Sequence, residues 1–184
     1  MKFFRFTVVA VAATMLFAGV FNAAALKEGT NELELTFSYT DNDAIKLTDG
    51  TELVSGSKDL TLDGLWGIML SNNHEVGPVL TYSRFDPDKG STTEAGSIGG
   101  FYRYNFESSG SIIPFVGAFA AKNFGDLDDV FSWQAEGHGG IRVMASDSAA
   151  VNVQAFYLRN FGKSDFDDQD VYGIRAGLSI FFGK

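Results

Sequence analysis

The chain has 184 residues, with 21 glycines, 18 phenylalanines, 3 prolines, no cysteine and a net charge of −9. The lack of cysteine excludes a disulfide framework or a thiolate metal site, and an acidic chain without basic clusters is not built to bind nucleic acid. Mean hydropathy is +0.02, yet beyond the N-terminus no apolar run is long enough for a spanning helix.

Residues 1–25 read as a signal peptide. Lys2 and Arg5 form the positive start, an apolar stretch follows, and Ala23-Ala24-Ala25 supplies the small residues of a cleavage site. Cleavage removes two cations and no acid, so the mature chain, 26–184, is more acidic still. Its length suits one domain.

From there the pattern has period two, the signature of strands whose side chains alternate between faces. The first strand, 31–40, sets Leu33, Leu35, Phe37 and Tyr39 against Glu32, Glu34, Thr36 and Ser38. Residues 41–57 are rich in Asp, Asn, Gly, Ser and Thr and predict the longest loop. The second strand, about 58–70, has Leu60, Leu62, Trp66 and Ile68 on one face and Asp63 on the other. A short turn at 71–74 leads to the third strand, with Val76, Pro78, Leu80 and Tyr82 on its apolar face. Pro78 is out of place there, because proline donates no ladder hydrogen bond. Asp86 to Gly90 is a loop signal.

The fourth strand, about 93–106, sets Ile98, Tyr102, Tyr104 and Phe106 against Ser97, Phe101, Arg103 and Asn105. A tight turn at 107–111 is predicted next. The fifth strand, about 112–123, is apolar on both faces, and its pattern does not orient it. An acidic loop with Asp126, Asp128 and Asp129 follows. The sixth strand, about 131–145, opposes Phe131, Trp133, Ile141 and Val143 to Ser132, Gln134, Glu136, His138 and Arg142. The seventh ends near Asn160, with Val151, Val153 and Tyr157 opposite Asn152, Gln154 and Leu158. A second acidic loop, 162–170, holds Asp165, Asp167, Asp168 and Asp170.

The last strand, 170–182, is the most regular. Tyr172, Ile174, Ala176, Leu178, Ile180 and Phe182 share one face, while Val171, Gly173, Arg175, Gly177, Ser179 and Phe181 share the other. The spacing of Arg175, Gly177, Ile180 and Phe182 resembles the C-terminal signal by which outer-membrane barrel proteins are recognised by their assembly machinery. Gly183 and Lys184 after the aromatic depart from that pattern. The resemblance makes Gly177, Ile180 and Phe182 the expected assembly signal and that machinery an expected partner.

Eight strands of about ten or more residues predict an all-β, eight-stranded, antiparallel, up-and-down transmembrane β-barrel. Long connections after the odd strands and short ones after the even strands place all the longer loops at one end. Tyr39, Tyr82, Phe131, Trp133, Tyr157 and Tyr172 fall near that end. Trp66, Tyr104, Phe106 and Phe182 fall near the other. Two such aromatic belts are expected where rings meet the headgroup regions of a bilayer. A barrel of eight strands leaves room for side chains only. Its interior is expected to hold Glu34, Asp63, Arg103, Glu136, His138, Arg142 and Arg175 as a paired charge network, since lone buried charges are costly.

The mature chain resembles the small eight-stranded outer-membrane barrels of the OmpX and OmpA membrane-domain type, grouped with porin-like outer-membrane proteins. The resemblance implies an outer-membrane location, contact with lipid and lipopolysaccharide, no enzymatic activity, no cofactor, and a structural or surface role carried by acidic loops. A small-solute channel is the second reading, a lipid A-modifying enzyme the third. A soluble lipocalin-like barrel would invert the faces, placing apolar residues inward. The enzymatic reading rests on Ser132, Glu136 and His138 sharing a face, yet Glu136 and His138 lie about 7 Å apart along the strand, and a buried structural histidine is the simpler account. His74 has no partner visible in the sequence. The acidic loops lack the glycine and terminal glutamate of a calcium loop and read as solvated charge.

Overall fold

The computed structural model describes residues 26–42, 45–46, 52–54, 57–88, 90–163 and 166–183. The signal peptide expected at residues 1–25, together with Asp165 and Lys184, lies outside them. The strands are β1 (Asn31–Asn42), β2 (Ile45–Lys46), β3 (Glu52–Val54), β4 (Ser57–Met69), β5 (His74–Pro87), β6 (Thr93–Asn105), β7 (Ile112–Gly125), β8 (Phe131–Ser146), β9 (Ala149–Gly162) and β10 (Gln169–Phe182). β2 and β3 pair with each other inside the connection that follows β1. The other eight form one closed barrel in which each strand pairs antiparallel with its neighbour in the chain. β10 returns to β1, from Asn31↔Phe182 to Phe37↔Ala176. Closure removes the sheet edges that would otherwise need a partner.

Most ladders run into residues that composition had assigned to loops. His74 opens β5, Gly162 closes β9 and Gln169 opens β10. The expected alternation of long and short connections is correspondingly weak. Six residues, 106–111, join β6 to β7, against five, 88–92, between β5 and β6. Backbone pairing continues wherever a neighbouring strand offers a partner, whatever the polarity of the side chain. Within the acidic connection after β7, Asp126–Asp129 forms a 3-10 turn.

The β8–β9 register shifts at Phe131/Trp133 and at Met144/Ser146, and the β4–β5 ladder is interrupted within its length. β4 pairs with β5 from Ser57↔Pro87 to Leu65↔Val79, then resumes at Ile68↔Val76. The missing rungs fall at Gly77 and Pro78, where proline has no N–H to give. The backbones close in at this point, and a Cβ on Gly77 would stand 1.7 Å from the Trp66 carbonyl oxygen. Gly77→Val is therefore expected to cost about 1–3 kcal/mol through forced backbone displacement. Gly100→Ala is the control, since the nearest atom to its Cβ is 3.7 Å away. Urea midpoints of the two variants test the difference.

β7 takes its orientation from its neighbours. Ile113, Phe115, Phe119 and Ala121 point into the barrel, while Ile112, Val116, Lys122 and Phe124 point out. Both faces are apolar because the lumen contains apolar layers of its own. Leu26, Met69, Ile113, Met144, Ala150 and Phe181 plug the end of the short turns. Leu65, Val79, Phe101, Phe119 and Ala121 form a second layer further up.

Candidate functional site

The barrel has two chemically distinct surfaces. Its outside carries Leu35, Trp66, Leu80, Ile98, Val116, Trp133, Ile141, Tyr157 and Leu178, each between 41% and 59% exposed. Its inside carries charge. All seven candidate interior residues are buried: Glu34, Asp63, Arg103, Glu136, His138, Arg142 and Arg175. Glu32 and Glu75 join them, 1% and 0% exposed. The sequence held a signal for both. Glu32 lies two positions from Glu34 on the same face, and Glu75 opposes the face of Val76.

These groups form two nests. In the first, both Glu32 carboxylate oxygens accept from Arg142 Nη2 at 2.7 Å. Arg142 also donates to Asn105 Oδ1 at 3.2 Å and to Asn152 Oδ1 at 3.3 Å. Arg103 Nη1 lies 2.8 Å from Glu34 and 3.5 Å from both Glu32 and Glu75. Its guanidinium carbon sits 4.8 Å from the centroid of the Phe115 ring, and that of Arg142 sits 5.1 Å from Phe181. Arginine suits such a site because its planar charge is weakly hydrated and stacks on rings.

The second nest is built on Arg175. It donates to both oxygens of Glu136, through Nη1 at 2.8 Å and through Nη2. It also lies 3.2 Å from Asp63, which accepts from Thr36 Oγ1 at 2.9 Å. With its amide oxygen turned inward, Gln154 accepts from Arg175 Nε at 2.7 Å. His138 Nδ1 meets Glu136 at 3.0 Å, and its ring packs edge-on against Phe115. The spacing of about 7 Å along the strand between Glu136 and His138 is thus spanned by their side chains. Glu136 is nevertheless committed to Arg175, and His138 Nε2 has no hydrogen-bond partner among the described residues. Ser132 is half-buried at the start of β8, several residues away along the strand.

Towards the loop end the lumen continues with buried Ser97, Asn123, Gln134 and Asn160. Gln134 donates to Ser97 at 2.7 Å, and Asn123 donates to the Phe131 carbonyl at 3.0 Å. A cavity of about 10 Å³ remains between Thr81, Asn123 and Leu127, roughly one water in size. The two charged nests and the two apolar layers place buried side chains along the described lumen.

On the described strands, outward charges sit towards the loop rim; Lys27, Glu28, Glu107 and Asp147 lie exposed at the turn end. Arg84 pairs with Glu94 at 3.2 Å, Lys122 reaches Asp128 at 3.7 Å, and Arg159 holds Asp168 at 2.8 Å and Asp170 at 3.8 Å. Lys163 adds a 3.0 Å contact to Asp128. The two acidic loops are therefore tied to cations of this same chain. Among the described residues, no group of three His, Cys, Asp or Glu is placed to hold a metal ion. The Arg159 guanidinium and the Gly162 N–H hold the Asp168 carboxyl below the usual carboxylate range. A lowered value stabilises the folded loop above the ordinary carboxylate pKa, and that stabilisation is lost as pH falls through the lowered one. Arg159→Gln should return the Asp168 midpoint to the ordinary range in a carboxyl NMR titration. An unchanged midpoint would show that the contact does not persist in solution.

At the opposite end, His74 Nδ1 meets the Tyr102 hydroxyl at 2.8 Å, and its ring contacts Tyr104. This is the partner that the sequence did not reveal. Trp66 of β4 and Phe182 of β10 lie 6.4 Å apart, centroid to centroid, on either side of β1. Of the three C-terminal signal positions, Ile180 and Phe182 face outward, 56% and 45% exposed. Gly177 faces inward, where an added Cβ would stand 2.6 Å from Thr36 Cγ2.

No protein-family model matches the chain, and no curated protein matches it. Solved structures do. The outer membrane protein OprG of Pseudomonas aeruginosa aligns with 14% identity and a TM-score of 0.51, over 88% of this chain and 99% of that one. The N-terminal β-barrel domain of Pseudomonas aeruginosa OprF aligns with 15% identity and a TM-score of 0.50, over 84% of this chain and 98% of the other. At these identities the likeness is one of fold. The chain is an eight-stranded, all-antiparallel, up-and-down closed β-barrel of the kind seen in small outer-membrane proteins.

Proposed function

We propose that this protein is a non-enzymatic integral barrel of a Gram-negative-type outer membrane. In this reading it is exported through the signal peptide at residues 1–25 and serves the envelope as a structural or surface-interaction protein. One observation carries the reading: the faces are reversed relative to a soluble barrel. Acidic and basic side chains line the lumen, and a continuous apolar band covers the outside. Water would favour the opposite arrangement. A hydrocarbon surrounding favours this one, because a closed sheet satisfies its own backbone and hides its charges. The placement of the strands' outward ion pairs near the loop rim supports the same reading. So do the exposed aromatics Tyr39, Tyr82, Trp133 and Tyr157 towards one end and Trp66, Phe106 and Phe182 towards the other.

The partners proposed are outer-membrane lipid, lipopolysaccharide, and the barrel assembly machinery acting on the last strand through Gly177, Ile180 and Phe182. The acidic loops would face the exterior and carry any recognition. Fractionation tests the reading first. The protein should sediment with outer membranes and, on a gel, migrate differently before and after boiling. Release by osmotic shock without detergent would overturn it. The filled lumen further predicts no stable conductance steps in planar bilayers. Discrete, reproducible steps would move the small-solute channel from second place to first.

A further inference from the structure

The barrel closes unevenly, and the seam where it does so carries a second feature. Seven residue pairs join β1 to β10, and the pairing stops at Phe37↔Ala176. β1 continues beyond that point in full register with β4, to Asn42↔Ser57. β10 likewise stays paired with β9 out to Gln169↔Asn160. Residues 38–42 and 169–175 therefore have one paired side, and across the seam they do not pair with each other. The outward side chains register the gap. Tyr172 and Ile174 are 81% and 75% exposed, while no other exposed large hydrophobic among the described residues exceeds 59%. Directly below the last rung is a groove of about 200 Å³, walled by Leu35, Phe37, Leu62, Ala176 and Leu178.

In hydrocarbon, an unpaired backbone N–H or C=O is costly, and lipid tails offer it nothing. The open part of the seam thus calls for polar atoms, and the groove below it calls for apolar ones. From the loop end towards mid-barrel, the order is polar edge, then apolar slot. This is the order of headgroup linkage and acyl chain in the leaflet at the loop end. The groove is also continuous with the apolar band, since Leu35, Phe37 and Leu178 belong to both. We propose that the upper β1–β10 seam is a lateral site for one acyl-chain lipid of that leaflet. Its tail lies in the groove, and its linkage oxygens and headgroup hydrogen-bond the free strand edges. This rests on the membrane reading above.

The test uses the full mature chain in nanodiscs of phosphatidylethanolamine containing a fraction with a diazirine halfway along one acyl chain. After irradiation, adducts are mapped by mass spectrometry. Yield on Leu35, Phe37, Leu62 and Leu178 should exceed that on Leu80, Ile98 and Val116 by about tenfold, the ratio that about 1.4 kcal/mol of preference produces. Because the chain has no cysteine of its own, a Tyr39→Cys/Ile174→Cys pair can zip the seam in the continued register. Oxidation should bring the yield down to that of the other seams, and reduction should restore it. Equal labelling around the wild-type barrel would overturn the lipid site and leave the membrane reading standing. Absence of labelling on every outward residue would overturn both. Excess labelling that survives closure would overturn the role of the open edge.

Discussion

Replacing Arg142 with methionine should cost about 3–5 kcal/mol of stability, the usual penalty for stranding a buried partner. Arg142 is fully buried and is the nearest cation to Glu32, at 2.7 Å. Arg103 lies 3.5 Å from Glu32 and is already engaged by Glu34 at 2.8 Å. Loss of Arg142 therefore leaves a carboxylate in the lumen with little compensation, and it also strips Asn105 and Asn152 of their shared donor. Urea unfolding from phospholipid vesicles reads the loss as a lowered midpoint. The double variant Arg142→Met with Glu32→Gln should recover much of it, because the lone charge is gone and only neutral hydrogen bonds remain unmade. A single variant as stable as wild type would mean that the nest does not hold the barrel together.

The second large effect concerns the outside. Leu80 lies midway along β5 and is 54% exposed. On a soluble surface, Leu80→Arg would be close to neutral. On a lipid-facing surface it should cost about 2–4 kcal/mol, falling to about 0–1 near the interface. Phe161, at the loop end of β9 and two positions from Arg159, supplies the shallow comparison. A steep depth dependence between Leu80→Arg and Phe161→Arg identifies the surrounding medium as hydrocarbon. Equal, small costs at both positions would identify it as water and return the soluble barrel to consideration.

Much of this architecture was legible from the residues themselves. Alternation in β1, β4, β6, β8, β9 and β10 separates the two faces one residue at a time, because each strand meets two different media. β7 was opaque for a related reason: its inward Phe115 and Phe119 belong to apolar layers of the lumen, so neither face is polar. Glu75 was passed over because His74 read as part of a turn, yet it begins the ladder against Tyr104. The contact between His74 and Tyr102 joins two strands, and such a contact has no trace in local pattern.

Period-two patterning was enough for the barrel's strand count and its closed antiparallel class, since it depends only on which side of one strand is apolar; it put seven charges inside and left Glu32 and Glu75 out of that set. Which strand residues pair with which came from the folded barrel alone. Arg142 meets Glu32 from 110 positions away, and Arg175 meets both Glu136 and Asp63. These partnerships follow from barrel curvature and strand stagger, which bring distant strands across a narrow lumen. The short β1–β10 seam is of the same kind. Both strands remain paired on their other side past Phe37 and Ala176, and no local pattern says that the pairing between them ends there. Where the sheet closes is a property of the whole ring, set by how all eight strands stagger together.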